Sequence, residues 1–120
     1  MKAYKIFEVK NDLPKFMFFG LNGSKFVPMD EWLIAKNKKV RDGSGKWYIS
    51  RFHVYENIDK IDKFINTLKN KDTRCVVEVV ASNMIPKSKN SKAHLTDKIF
   101  LSKEAWDKRI PVLDFKKGKL

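Results

Sequence analysis

Arg51, His53 and Tyr55 recur at two-residue spacing within the run Trp47-Tyr48-Ile49-Ser50-Arg51-Phe52-His53-Val54-Tyr55. Successive side chains of an extended strand point to opposite faces, so this spacing places a guanidinium, an imidazole and a phenol on one face with Trp47 and Ile49. Such a trio can grip a phosphate or stack against a base or a nicotinamide ring. The same pattern also describes half-buried sheet residues bonded to their neighbours. As a reaction centre it would suit a nucleotide-handling enzyme of ADP-ribosyl-transfer type, but no matching acidic residue accompanies it.

The second group is cationic. The chain of 120 residues has 26 Lys and Arg against 14 Asp and Glu, a formal net charge of +12. Residues 1–35 carry a net +1, residues 36–71 a net +6 and residues 72–120 a net +5. Within the last two thirds the charge gathers at Lys36, Lys38, Lys39, Arg41 and Lys46, at Lys87, Lys89 and Lys92, and at Lys116, Lys117 and Lys119. A polyanionic partner is the expectation: nucleic acid, or a nucleoprotein complex of a host or defence machinery. Lysine heavily outnumbers arginine, and bidentate recognition of bases favours arginine, so the expected contacts are sequence-independent ones to phosphate. A lysine-rich solvated surface with no partner is the plain alternative.

Other chemistry finds little support. There is no Walker-type phosphate loop, dinucleotide-binding glycine fingerprint or nucleophile elbow. Gly43-Ser44-Gly45 reads as a hairpin turn, and Asp59 with Asp62 as solvated helix surface. His94 sits in a lysine-rich stretch where no metal site is expected. No cofactor is implied and no catalytic residue is assigned. Trp32, Trp47 and Trp106 are each able to stack on a base, although large aromatics more often fill cores. The single cysteine, Cys75, fits its apolar run as a small buried residue and precludes an intramolecular disulfide, which suits a reducing compartment. With no signal-peptide core and no apolar run of membrane-spanning length, the expectation is a cytoplasmic protein without membrane contact.

The elements that must position these groups are legible from pattern. Tyr4 to Val9 reads as a strand closed by a turn at Asn11-Asp12, and Lys15 to Phe19 as its hairpin partner. Phe26-Val27-Pro28 opens a third strand that Pro28 limits to an edge or an end. Glu31 to Lys36 fits either a strand or a short helix, with strand preferred, and Trp47 to Tyr55 reads as the clearest long strand. Ile58, Ile61, Phe64, Ile65 and Leu68 recur at helical spacing, with Asn57 as N-cap and Asp59 and Lys69 placed to suit the helix dipole. Arg74 to Ala81 alternates as a central strand, residues 82–96 read as a mobile loop, and Lys98–Leu101 and Ile110–Leu113 as late strands. The expectation is a single α+β domain over residues 1–120, one mainly antiparallel β-sheet with one amphipathic helix at about residues 57–70 packed on it. Residues 115–120 are expected to form a flexible basic tail.

Four segments carry a family resemblance: Tyr4-Lys5-Ile6-Phe7, Val27-Pro28-Met29-Asp30-Glu31-Trp32-Leu33, Phe52-His53-Val54-Tyr55 and Val76-Val77-Glu78-Val79. Together they resemble a pattern of small uncharacterised proteins of phages and prophages. The chain departs from that pattern ahead of the histidine, where Arg51-Phe52 replaces a glycine. The resemblance implies no activity. It implies a small lone domain that acts in the host cytoplasm by binding a host or defence component; beside the nucleic-acid reading drawn from charge, the alternative is an anti-defence inhibitor, such as an anti-CRISPR, that binds a protein.

Overall fold

The computed structural model describes residues 1–16, 26–35, 39–41, 47–49, 51–66, 71–87 and 92–116. Strand β1 (Lys2–Lys10) turns through Asn11 and Asp12 into β2 (Leu13–Phe16), and both turn residues have positive φ, 52° and 62°. Two consecutive left-handed residues make the tight hairpin turn whose twist matches its strands, and Asn and Asp tolerate that region best after glycine. Then come β3 (Trp32–Ile34), β4 (Lys39–Arg41), β5 (Trp47–Ile49), β6 (Phe52–Val54), helix α1 (Ile58–Ile65) and β7 (Arg74–Ala81). The chain continues through β8 (Ile85–Pro86), β9 (His94–Thr96), β10 (Lys98–Phe100), α2 (Lys103–Asp107), β11 (Ile110–Pro111) and α3 (Val112–Lys116). The fold is mainly antiparallel β with three short helices.

Strand β7 is its axis. Along one side it pairs with β1 from Lys2↔Val80 to Glu8↔Arg74, and along the other with β10 at one end and β11 at the other. With β2 beyond β1 and β3 beyond β10, the order is β2-β1-β7-β10-β3. Alternation sends Cys75, Val77, Val79 and Ala81 into a core with Ala3, Phe7, Phe52, Ile99, Leu101 and Trp106. On the opposite face Val76 joins Ile6, Tyr55, Ile61, Ile65 and Val112 in a second core. Helix α1 supplies Ile61 and Ile65 to that core, and Asn57 caps it by accepting the Lys60 N–H at 3.1 Å. Because α1 and α3 are short, they cover only the Ile6–Val76 part of this face. Glu78 and Val80, further along β7, stay exposed.

Helix α2 is pinned at both ends. The Ser102 hydroxyl accepts the Ala105 N–H at 3.0 Å, and Asp30, itself at φ 61°, accepts the Lys103 N–H at 3.0 Å. Trp106 is buried, donates its indole N–H to the Asp12 carbonyl at 3.1 Å and lies under the Arg109 guanidinium, which pairs with the Asp12 carboxylate. The first turn of the chain and the penultimate helix thereby brace each other.

Several expectations need correction. The strands do not form one sheet: β4 and β5 make a two-stranded ribbon, and β6, β9 and β8 a three-stranded sheet. The expected long strand over 47–55 is split between those two sheets, because the break ahead of Phe52 sends it to pair with β9 and Phe52 and Val54 into the main core. Residues 82–96 are not a plain loop; β8 and β9 lie within them, in register with β6. The strand expected at Ile110–Leu113 stops at Pro111, and Val112, fully buried, starts α3, so Phe115 and Lys116 end a helix instead of opening a tail. Among the described residues Phe26 makes an isolated bridge, to Lys15, in place of the expected third strand. Of the expected helix 57–70, Ile58–Ile65 is observed with Asn66 as its C-cap, and 67–70, with Leu68 and Lys69, lies outside the described residues. The tail residues 117–120 also lie outside them. Among the described residues no helix is long and apolar enough to cross a membrane.

Candidate nucleic-acid interface

Arg51, His53 and Tyr55 do not share one polar surface. Arg51 donates its Nε–H to Asp97 at 2.8 Å, and Asp97 in turn accepts from Asn83. Asn83 Oδ1 accepts both the Thr96 hydroxyl and the Asp97 N–H at 3.1 Å, so the guanidinium is part of a network that ties the β9–β10 turn to the end of β7. Tyr55 is buried in the second core with its ring 6.0 Å from Phe64, and burial pushes its phenol up to about 12. Its backbone exchanges two 2.8 Å hydrogen bonds with Tyr4. A phenol so placed stays protonated at neutral pH.

His53 is held in its neutral form. Burial lowers its pKa to about 4, helped by the positive fields of Lys5 and Lys87. Lys87 belongs to one of the sequence-defined lysine groups, and antiparallel register explains its approach: β8, β9 and β6 align Ile85, Leu95 and His53 in one row, with Lys87 two residues on. Lys5 was not singled out from the sequence. It sits on the face of β1 that carries Ala3 and Phe7, donates its ammonium to the His53 carbonyl at 2.8 Å, and lies 5.9 Å from the Phe7 and Phe52 ring centres. Its side chain keeps some solvent contact, but the ammonium is deep enough that burial lowers its pKa to about 8. The available signal was the strand alternation itself, which puts a lysine among residues of the apolar face.

The lysine groups divide. Lys36, Lys38, Lys46 and Lys89 lie outside the described residues. Lys39 and Arg41 are exposed on β4, two residues apart and so on one face of the β4–β5 ribbon; Lys92 is exposed just ahead of β9. Six of the described acids are paired with a nearby cation. Glu78 pairs with Lys2, Glu56 with Lys60, Asp97 with Arg51, Asp107 with Lys103, Glu104 with Lys108 and Asp12 with Arg109. Lys10, Lys92 and Lys98 enter no ion pair among the described residues, so the positive excess is left at the surface.

The uncovered half of the sheet supplies a different surface. Register aligns Lys2, Val80, Phe100 and Trp32 in one row across β1, β7, β10 and β3, all on the outer face. Lys98 and Ile34 pair in the row beyond Phe100 and Trp32. Trp32 is 50% and Ile34 69% exposed, and the Trp32 ring tilts by 58° against Phe100 at 5.6 Å. A shallow pocket of about 320 Å³ opens here, lined by Trp32, Ile34, Ser82 and Lys98. Of the three tryptophans, Trp106 is core, Trp32 is on this face, and the side chain of Trp47 lies outside the described ones.

No protein-family model matches the chain, and comparison with the curated proteins and with the solved structures gives no match.

Proposed function

We propose that the protein is a non-catalytic nucleic-acid-binding domain that holds the sugar-phosphate backbone by charge. The observation that carries this reading is the net charge of +12 together with exposed cations, Lys10, Lys92 and Lys98, that enter no ion pair among the described residues. Lys39 and Arg41, exposed on one ribbon face, supply phosphate contacts, and Lys92 and Lys98 add to them. The enzymatic alternative loses support, because Arg51 is engaged by Asp97 and Tyr55 is sealed in the core.

The test is binding of a fluorescent oligonucleotide to wild type and to a Lys39→Glu, Arg41→Glu double variant over a range of salt. Each phosphate contact contributes about 0.7 to the slope of log K against log salt on single strands. Losing two contacts flattens the slope by about 1.4. Identical slopes for the two proteins would remove the ribbon from the interface.

A further inference from the structure

We infer that the open end of the sheet, built on Trp32, Phe100, Ile34 and Lys98, is a stacking site for an unpaired base, which makes the ligand single-stranded nucleic acid. This rests on the reading of the protein as a nucleic-acid binder and names the form of the partner.

The sheet ends in an aromatic residue that the fold leaves half in water. Trp32 is on the edge strand β3, and among the described residues Phe100 braces one side of its ring at a tilt, with Trp32 half exposed. An indole fixed on a rigid strand presents a π-face without having to be ordered on binding, and every base has a π-face of its own. The pocket beside it, about 320 Å³, is at the small end of the roughly 300–1,000 Å³ range of ligand sites. Its wall is apolar at Trp32 and Ile34, where a base would lie, and cationic at Lys98, where a phosphate would.

Charge decides the occupant. A second copy of this chain would bring another +12 to the same contact, and β3 offers only three residues of edge. A nucleic acid instead brings compensating phosphates to Lys98, which is exposed and has no ion pair among the described residues. The ribbon lies within reach of the same strand. Lys39 is five residues on from Ile34, and a chain extends by at most about 3.6 Å per residue, so the two are no more than about 18 Å apart. In a duplex the bases are stacked on one another and offer no free face to Trp32, hence the preference for single strands.

The experiment compares oligothymidine, an abasic oligodeoxynucleotide of the same length, oligouridine and a duplex of the same length, by anisotropy at about 0.15 M salt, with wild type, Trp32→Ala and Trp32→Phe. Base-on-aromatic stacking corresponds to roughly 5- to 150-fold in affinity for one base. Wild type is expected to bind oligothymidine and oligouridine more tightly than the abasic strand and the duplex by a factor in that range. Trp32→Ala should lose that factor, Trp32→Phe should restore part of it, and the abasic strand should not distinguish the three proteins. Equal, salt-sensitive binding of all probes by all proteins overturns the stacking site and leaves the electrostatic reading standing. Absence of binding to every probe overturns the electrostatic reading itself. Concentration-dependent dimerisation that Trp32→Ala abolishes would give the face to a second copy and overturn the inference.

Discussion

Replacing Lys5 by methionine should make the protein more stable at neutral pH. The ammonium of Lys5 is on the apolar face of β1 with two phenylalanine rings at 5.9 Å, and burial brings its pKa from 10.5 to about 8. A shift of about 2.5 units, at 1.36 kcal/mol per unit, amounts to about 3 kcal/mol against the folded state while the lysine is protonated. That is an upper limit, since the side chain keeps some contact with water, and methionine forfeits the hydrogen bond to the His53 carbonyl, about 1 kcal/mol. The expected net gain at pH 7 is therefore on the order of 2 kcal/mol. Between pH 8 and 10.5 the unfolded chain still holds this proton while the folded one has released it, so wild-type stability gains from rising pH in this window. The difference between Lys5→Met and wild type should accordingly be full below pH 8 and close toward pH 10.5. Urea denaturation of both proteins from pH 6 to pH 10 measures it. A variant less stable than wild type at pH 7, or a difference that does not vary with pH, would refute the argument from burial.

Three further outcomes follow from the same geometry. His53, at about 4 when folded against 6.5 when free, takes up its proton in the unfolded chain first as pH falls, so stability drops between pH 6.5 and 4 by up to about 3 kcal/mol; in His53→Gln, denaturation midpoints should vary less over that range. Asn83→Ala leaves the Asp97 N–H without its acceptor, while the Thr96 hydroxyl keeps the Lys98 carbonyl at 3.1 Å, and should cost about 1 kcal/mol by urea denaturation. Cys75, buried and with its thiol pushed up to about 12, should resist alkylation by iodoacetamide at pH 8 in the folded protein and react on unfolding, as read by mass spectrometry.

What was legible in the sequence was local. The Asn11-Asp12 hairpin, the Asn57 cap and the β7 strand at Arg74–Ala81 follow from turn chemistry, capping and two-residue alternation, each contained in a few residues. Cys75 was legible for the same reason, as one member of an alternating apolar run. What failed was set by pairing partners distant in the chain. Ile85–Pro86 and His94–Thr96 are too short and too lysine-flanked to read as strands alone, and they exist because β6 gives them a register. Trp47–Ile49 and Phe52–Val54 share one propensity pattern, and only their different partners separate them. Helix α2 has five residues, too few for an apolar stripe, and depends on Ser102, Asp30 and the burial of Trp106.

The proposed site was legible only in part. Net charge is the ground for proposing a polyanionic partner, and of the lysine groups it singles out Lys39, Arg41 and Lys92 are exposed. The polar trio on one strand face was a plausible pattern that tertiary structure dispersed, with Arg51 drawn to Asp97 and Tyr55 to Phe64. Trp32 could be recognised as an aromatic able to stack, but its exposure depends on how far α1 and α3 extend across the sheet, which no local pattern states.

The central claim, that the excess positive charge binds nucleic acid, is tested most directly by the affinity of wild-type protein for one fluorescent single-stranded oligonucleotide as salt is raised from about 0.05 to 0.2 M. Binding is expected at the lower salt, with log K falling linearly in log salt at a slope of several phosphate contacts. An affinity that does not change with salt, or no binding at the lowest salt, would contradict it.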